Sequence, residues 1–479
     1  MRNSYKEFME ICDYTEKEIQ KEMPRVKRFF EKTGLNEEDA KRGKDRLINY
    51  YQCGELRGMR MHIGALMKWT VDIVLAKEEG KKTMWNELPQ GMNSAYLGAV
   101  HFVDSNIVVG SPGLNFFNIL GGVFGKLDHM WTWAEENFFT QGVAHCACNF
   151  TVAGGRALGA IPPGDLTIMQ GIYCDEAPKT GELIEHVFGE RVFYINRCQD
   201  EYLFEPPGGE RQVAYLAGAY ELLQQEMSKV AGAEITDEMV KQNLMNYYLV
   251  EQAKIKEIED LRVMSDPQVL RVQAWNLLWI FHVFSPGKPG FEERMEALQV
   301  LYDELKGMVD RGEGITEKGA PKIIYAPMLP FVDPEYGKVL EDAGINVCCN
   351  EVYSTQVVNV EQSMAFMALP APMLFASMWL SVPLLYVHTR GDSIVQNYKQ
   401  LEIDGILLLA HYACRIIGSD MIMVKEFVRK ELGPDVPLAV LDYDIYDNRY
   451  YNHEQARTRL ESFAEMVKSA KQSRAKFAA

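Results

Sequence analysis

Four cysteines in this chain of 479 residues lie where their thiols could act together in metal chemistry. They are Cys146, Cys148, Cys174 and Cys414. Thiolates are natural ligands for zinc and for iron–sulfur clusters. A zinc site usually shows a compact C-x-x-C pair, which this sequence lacks, and the Cys-Ala-Cys segment at residues 146–148 is too tight to replace it. The residue types therefore predict either a metal site or a group of buried free thiols, and both remain open.

Cys174 and Cys414 each follow a short apolar run that an aspartate precedes. Asp165 lies nine positions before Cys174, and Asp404 lies ten positions before Cys414. Apolar runs of this length predict buried strands, and open α/β sheets bind ligands beyond the carboxyl ends of their strands. The sequence therefore predicts two similar βαβ units, far apart in the chain, that each present one cysteine at a strand end.

The residues around each cysteine define the elements that must position it. The first unit is predicted as a strand at Leu166–Met169, a helix at Gly181–Phe188 and a strand at Val192–Ile195. The second unit is predicted as a strand at Gly405–Ala410, a helix from an N-cap near Ser419 to Gly433, and a strand at Val436–Leu441. A final helix, capped by Asn452, is predicted to pack on the second sheet.

Two histidines and two further cysteines have plainer explanations. His145 and His411 each lie near one of the four cysteines, and such histidines are more often hydrogen-bonded structural residues than proton donors. Cys348 and Cys349 are adjacent in a predicted strand, so we expect their side chains on opposite faces. Both are predicted to be core thiols rather than ligands.

The composition, with 47% hydrophobic residues, is that of a soluble globular protein. A net charge of −17 leaves no basic excess for phosphates and argues against a nucleic-acid partner. The N-terminus has no apolar signal-peptide core, and the nine cysteines lack disulfide-framework spacing, so we expect a reducing, cytoplasmic compartment. Residues 364–387 are apolar, but three prolines interrupt them, so a buried helical segment is expected rather than a membrane span.

The order of the predicted elements indicates an α/β protein with two doubly wound, Rossmann- or flavodoxin-like parallel-sheet domains. The predicted ranges are a helical N-terminal region at 1–84, a first α/β domain at 85–205, a helical connecting segment at 206–319 and a second α/β domain at 320–479. We expect the cysteines to meet in the crevice between the two α/β domains.

Several short phrases between Gly80 and Lys468 together resemble the family of 2-hydroxyacyl-CoA dehydratases and ATP-dependent benzoyl-CoA reductase subunits. They are the Glu-Glu-Gly-Lys-Lys turn at Gly80, Pro163-Gly164-Asp165-Leu166 before the first strand, Cys174-Asp175 with Lys179, the Gly344 turn, the Asp404-Gly405 strand ending at Cys414, and the helix with Glu454, Gln455, Thr458 and Arg459. Each phrase alone is weak. Their order along the chain is fairly specific.

The resemblance implies a [4Fe-4S] cluster held by three cysteines. Matched to the family's motifs, these are Cys174, Cys414 and either Cys146 or Cys148. The family's first motif has an aromatic residue two positions after its cysteine, which Phe150 provides for Cys148. It usually also has a small residue eight positions after, which Gly154 provides for Cys146. The choice is open, with a slight preference for Cys146.

The resemblance also implies an activity. Three protein ligands would leave one of the four irons open, and in the family the thioester carbonyl of an acyl-CoA meets that iron and takes up one low-potential electron. The resulting ketyl radical expels the neighbouring hydroxyl group, loses a proton and returns the electron. Such a lyase would convert an (R)-2-hydroxyacyl-CoA into an enoyl-CoA under anaerobic conditions. Its partners would be a homologous second subunit, or a second copy, and an ATP-dependent iron–sulfur activator protein. Lys179 and Arg415 are candidates to face the anionic CoA, with solvated surface charge as the equal alternative.

Two other functions are compatible with the same residues. The chain could be a benzoyl-CoA reductase-type subunit, or an ATP-coupled homodimeric reductase with a larger cluster that Cys148 or Cys348 would help to bind. It could instead be a non-catalytic subunit that keeps the fold and pairs with a catalytic homologue. No general base is identified from the sequence.

Overall fold

The computed structural model describes residues 3–87, 92–139, 145–172, 174, 176–196, 209–356, 358–382, 387–449 and 452–478. The first helices are α1 (Ser4–Ile11), α2 (Glu16–Lys32), α3 (Glu37–Tyr50) and α4 (Arg57–Leu75). Thr15 and Asn36 start α2 and α3 because each forms a capping box with an acidic side chain three residues later.

The first sheet consists of four parallel strands. They are β1 (Thr83–Asn86), β2 (Val108–Gly110), β3 (Leu166–Gln170) and β4 (Val192–Ile195). Their order across the sheet is β2-β1-β3-β4, so the direction of strand addition reverses between β1 and β3. The α-helices between residues 87 and 191 are α5 (Asn93–Leu97), α6 (Pro112–Phe116), α7 (Asp128–Asn137), α8 (Ala147–Ala157) and α9 (Glu176–Phe188). A 3-10 helix follows α5 at Gly98–Phe102, and a π-helix follows α6 at Phe117–Val123.

Among the described residues between the two sheets, a series of helices connects the first sheet to the second. They are α10 (Glu210–Ala231), α11 (Asp237–Asn243), α12 (Leu249–Met264), α13 (Val272–Val283) and α14 (Phe291–Arg311). A π-helical turn at Leu244–Tyr248 joins α11 to α12.

The second sheet repeats the arrangement of the first. Its parallel strands are β5 (Lys322–Ala326), β6 (Asn346–Asn350), β7 (Gly405–His411) and β8 (Leu438–Tyr443), in the order β6-β5-β7-β8. The helices of this part are α15 (Glu335–Asp342), α16 (Val360–Ala365), α17 (Ala371–Leu380), α18 (Val387–Gln400), α19 (Arg415–Leu432) and α20 (His453–Ala478). The two parallel sheets confirm the predicted α/β fold class.

Helices α9 and α19 start earlier than predicted. Helix α19 begins at Arg415 instead of near Ser419, and α9 begins at Glu176 instead of Gly181. At the start of α19, Ile417 is only 5% exposed, and burying such a side chain is worth about 1.5–3 kcal/mol. An N-cap serine contributes typically about 1 kcal/mol, so the packing of the earlier turn outweighs the local preference.

The core does not follow the linear order of the chain. The N-terminal helices share one apolar core with the second sheet, in which Phe8 and Leu47 belong to the same cluster as Leu407. The first sheet packs with α10 and α17 and also with the end of α4, where Ile73 clusters with Trp85 of β1. The ring centroids of Tyr96, on α5, and Phe375, on α17, lie 4.7 Å apart. Helix α17 lies in the sequence of the second half but covers the first sheet, so the halves interlock.

The apolar stretch at residues 364–387 is divided among three helices. Helix α16 ends at Ala365, α17 follows Pro370, and α18 begins at Val387. Within the described residues, no helix is both long and apolar enough to cross a membrane. Most of α17 is buried, as the prolines predicted.

Candidate functional site

Cys174 and Cys414 follow equivalent strands of the two sheets. Strands β3 and β7 are third in their respective orders, and each pairs with the first strand of its sheet on one side. Cys174 lies beyond the carboxyl end of β3, and Cys414 lies beyond that of β7. The predicted parallel between the two βαβ units is therefore present in the fold.

The aspartates before these strands also have equivalent roles. Asp165 Oδ2 accepts a hydrogen bond of 2.7 Å from the backbone N–H of Thr83, where β1 begins. Asp404 Oδ2 accepts one of 2.9 Å from the backbone N–H of Lys322, where β5 begins. Each aspartate ties the start of its strand to the neighbouring strand, which fixes the register that places the cysteine at the opposite end.

Three of the candidate cysteines stand at helix N-termini. Cys146 is the N-cap of α8, and Cys414 is the N-cap of α19. Cys174 lies two residues before α9, and its sulfur accepts backbone hydrogen bonds from Glu176 and Ala177. The N-terminal ends of helices carry partial positive charge, so this arrangement favours thiolates and other anions at the site.

The cysteines of α8 are contacted by residues of the second sheet. Cys146 Sγ lies 3.7 Å from His411 Nε2, at the end of β7. The thiol of Cys148 forms hydrogen bonds with Tyr446, in the loop after β8, and with Cys146. On the other side, the backbone N–H of Cys146 donates to Glu176 Oε2 at 3.0 Å. The start of α8 is therefore held between the carboxyl ends of both sheets.

The four thiols influence one another's protonation. Burial, together with negative charge on Cys146 and Cys414, raises the pKa of Cys174 to about 12. The hydrogen bond to Cys148, followed by burial, raises the pKa of Cys146 well above its usual range. Burial is also the main cause of the raised pKa of Cys148. Burial and mutual repulsion oppose the deprotonation of several thiols at this place, and a nearby cation would offset both. A bound metal would be such a cation, because cysteine binds metals in its deprotonated form.

The thiols of this site are ligands of the kind that iron–sulfur clusters use. Among the residues that the structure describes, no three His, Cys, Asp or Glu side chains converge tightly enough to hold one metal ion. An iron–sulfur cluster has a different requirement, because its cysteine thiolates bind separate irons. The thiols of this site come from separate loops and lie within range of one another's charge.

His411 lies between a cysteine and a carboxylate. Its side chain is 1% exposed, and its Nδ1 faces Asp444 Oδ1 at 3.6 Å, beyond hydrogen-bond distance. Asp444 Oδ1 accepts backbone hydrogen bonds from Tyr446 at 2.8 Å and from Asp447 at 3.0 Å. Burial raises the pKa of Asp444 to about 7. The sequence placed His411 near a cysteine but gave no signal that its contact would be Cys146, 265 positions away.

A buried ion-pair network fixes α8 to the first sheet, and sequence reasoning missed it. Arg156, on α8, bonds Glu87 Oε1 at 2.9 Å and Glu190 Oε2 at 2.7 Å. Glu87 lies directly after β1, and its other oxygen accepts the backbone N–H of Gly113 at 3.2 Å. All three charged side chains are at most 3% exposed. Their separation in sequence left no local pattern that could have revealed the network.

Gly154 allows α8 to approach α7 closely. A Cβ atom at this position would lie 2.2 Å from the carbonyl oxygen of Met130, which is too short for any side chain. Close packing of α8 against α7 therefore explains why a glycine lies eight positions after Cys146. The close approach lets the start of α8 reach the strand ends.

The remaining predicted residues are distributed around the site. His145 Nδ1 lies 3.9 Å from Glu176 Oε2, and its ring packs against Phe139 at 4.9 Å between centroids. Lys179 is exposed on α9. Arg415 begins α19, but its side chain is outside the described part of the structure, as is Asp175.

The expectation that Cys348 and Cys349 point to opposite faces is wrong. The pairing of β6 with β5 shifts register, so that Val347 faces Ile323 and Cys349 faces Ile324. Cys348 is thus the extra residue of a β-bulge, and the two thiols hydrogen-bond to each other. Both are buried core thiols, as predicted, and Cys348 Sγ lies 3.7 Å from the carbonyl oxygen of Val263.

Comparison with known proteins gives two matches. Residues 119–467 match the family described as "2-hydroxyglutaryl-CoA dehydratase, D-component". This range contains all four candidate cysteines. A stretch of 78 residues is 26% identical to a subunit of benzoyl-CoA reductase from Thauera aromatica. That match covers 16% of this chain and only 18% of the relative.

Proposed function

Because the chain belongs to the 2-hydroxyglutaryl-CoA dehydratase D-component family, we propose that it is the iron–sulfur subunit of a CoA-thioester radical enzyme. The proposed reaction removes water from an (R)-2-hydroxyacyl-CoA to give an enoyl-CoA, which makes the enzyme a lyase. One observation carries this proposal: Cys174 and Cys414 follow equivalent strands of the two sheets, and Cys174 lies within range of the charges on Cys146 and Cys414.

The proposed ligands of a [4Fe-4S] cluster are Cys146, Cys174 and Cys414. Cys146 is preferred over Cys148 because it is an N-cap, as Cys414 is, whereas Cys148 lies inside the first turn of α8. When bound, a cluster with one iron free of protein ligands supplies a Lewis-acidic position and an electron at low potential.

The protein's own residues would prepare this place for anionic groups. The N-termini of α8, α9 and α19 direct backbone N–H groups and partial positive charge toward it. Cys146, Cys148 and His411 are buried, so water has little access to the site on the side of α8 and β7. Low access of water strengthens each electrostatic contact made there.

The proposed partners are a homologous subunit, or a second copy of this chain, and an ATP-dependent iron–sulfur activator protein. A cytoplasmic location is proposed with them, because nine cysteines without disulfide-framework spacing suit a reducing compartment. The acyl-CoA substrate is proposed at the level of its class.

A second candidate reaction is reduction of an aromatic acyl-CoA. The segment similar to the Thauera aromatica benzoyl-CoA reductase favours it, although that segment is short. In this case the same cysteines would hold the cluster, and the electrons would remain in the aromatic ring of the product.

An assay with two substrates tests the proposed function. Anaerobically purified protein is incubated, with and without the homologous subunit, with the activator protein, ATP, titanium(III) citrate as the electron donor and either (R)-2-hydroxyglutaryl-CoA or benzoyl-CoA. The CoA products are then separated by chromatography. Formation of the enoyl-CoA supports the dehydratase, and formation of a reduced benzoyl-CoA supports the second candidate. Neither product from protein with a complete cluster, in the presence of the homologous subunit, the activator protein and ATP, would contradict both and favour a non-catalytic subunit.

A further inference from the structure

His411 connects the second sheet to a proposed cluster ligand of the first half. It is the last residue of β7, its side chain is 1% exposed, and its Nε2 lies 3.7 Å from Cys146 Sγ. A metal-bound thiolate has lone pairs but no proton. This contact therefore becomes a hydrogen bond when Nε2 carries the proton and donates it to sulfur.

The surroundings of His411 hold its ring in this orientation. Asp444 Oδ1 lies 3.6 Å from Nδ1, and two backbone N–H groups fix that carboxylate oxygen in place. The rings of Tyr443 and Tyr446 pack beside the imidazole, each with its centroid 6.0 Å away. A ring confined in this way loses little further freedom when it donates a hydrogen bond.

We infer that His411 is a positioning residue that donates a hydrogen bond from Nε2 to Cys146 Sγ and thereby raises the reduction potential of the bound cluster. The inference rests on the proposed function, because it assumes that a cluster is bound through Cys146. Hydrogen bonds to ligand sulfurs stabilise the reduced cluster, which carries the greater negative charge. Loss of the donor should therefore make reduction harder.

Tyr446 provides an internal comparison. Its hydroxyl group forms the corresponding hydrogen bond with Cys148, from the same side of the site. If Cys146 is the ligand and Cys148 is not, the bond from His411 acts on the cluster directly. The bond from Tyr446 then acts only through a neighbouring thiol, and its loss should have a smaller effect.

The test is an EPR-monitored redox titration of the full chain with its cluster, together with iron and sulfide analysis. The variants are His411→Leu and His411→Phe, which remove the donor, and Tyr446→Phe. The control is His453→Leu, because the side chain of His453 is 51% exposed at the start of α20. We expect a more negative midpoint potential in both His411 variants at unchanged iron content, a smaller shift in Tyr446→Phe, and none in the control.

Three results would overturn the inference. The first is an unchanged potential in a His411 variant that keeps its iron. The second is a larger shift in Tyr446→Phe than in the His411 variants, which would assign the acting bond to Cys148. The third is loss of iron from both His411 variants, which would show that His411 is needed to hold the cluster instead of tuning it. Absence of iron from the unaltered protein would count against the proposed function itself.

Discussion

The first and second sheets can be compared strand by strand, because both arrange their strands in the order second, first, third, fourth. In each sheet the third strand is preceded by an aspartate that bonds the start of the first strand and is followed by a cysteine. This shared geometry places Cys174 and Cys414 at equivalent strand ends, within range of each other's charge. The backbone arrangement that delivers a thiol is therefore common to both halves.

The two halves differ in what else they bring to that place. The first half adds a second source of thiols, because α8 carries Cys146 and Cys148. The second half adds the side chains that contact those thiols, namely His411 and Tyr446. We infer that the strand ends set the positions of the ligands, while the asymmetric additions set the chemistry.

The largest expected effect comes from removing either strand-end thiol. If the halves contribute equally, Cys174→Ser and Cys414→Ser should each lose most of the iron found in the unaltered chain, because one lost ligand of three opens the cluster to dissociation. Iron analysis after anaerobic purification measures this. Cys12→Ser is a matched control, because Cys12 is a buried thiol of the N-terminal helices. The Cys12→Ser protein should keep the iron content of the unaltered chain. Loss of iron from only one of the Cys174 and Cys414 variants would show that the two strand-end cysteines do not contribute equally.

The next effect separates the two cysteines of α8. Cys146→Ser should lose iron to the same extent as the strand-end variants, whereas Cys148→Ser should retain it, because only Cys146 has the N-cap position shared with Cys414. The reverse result would make Cys148 the ligand. Loss of iron in both would favour a larger cluster that uses the whole pair.

Buried arginines give a comparison of stability in the two halves. Arg156→Met should destabilise the protein by about 3–5 kcal/mol, because it leaves Glu87 and Glu190 buried without their counter-charge. Arg390→Met should cost less, since Arg390 pairs with the buried Glu351 but also with Asp420, which is 16% exposed.

Urea denaturation followed by circular dichroism measures both changes, with Arg156→Lys as the variant that keeps the charge. A cost below about 1 kcal/mol for Arg156→Met would show that the network does not hold α8 in place.

The smallest expected effect concerns the paired aspartates. Asp404 is 8% exposed and bonds Lys471 at 3.0 Å and Arg474 at 2.6 Å, so Asp404→Asn should cost about 1.5–3 kcal/mol. Asp165 is 38% exposed beside Lys77, so Asp165→Asn should cost less than about 1 kcal/mol. The same denaturation experiment compares them. Equal costs would mean that burial does not distinguish these two positions.

Much of the fold could be predicted because short segments of the sequence indicate their own secondary structure. Short apolar runs identified strands β3 and β7, and the rule that parallel strands present ligands at their carboxyl ends placed Cys174 and Cys414 together. The start of α19 was predicted wrongly because the burial of Ile417 outweighs the preference of Ser419 for the N-cap.

Contacts between distant segments could not be predicted in this way. The approach of His411 to Cys146 and the bonds of Arg156 to Glu87 join residues that no periodicity relates. The bulge at Cys348 likewise depends on the neighbouring strand, so alternation along β6 alone gave the wrong face.

The proposed cluster is tested most directly by the iron and sulfide content of the unaltered chain, purified without oxygen, together with the EPR spectrum of its reduced form. We expect about four irons and about four sulfides per chain, with the spectrum of a reduced [4Fe-4S] cluster. A folded chain that contains no iron would contradict this expectation.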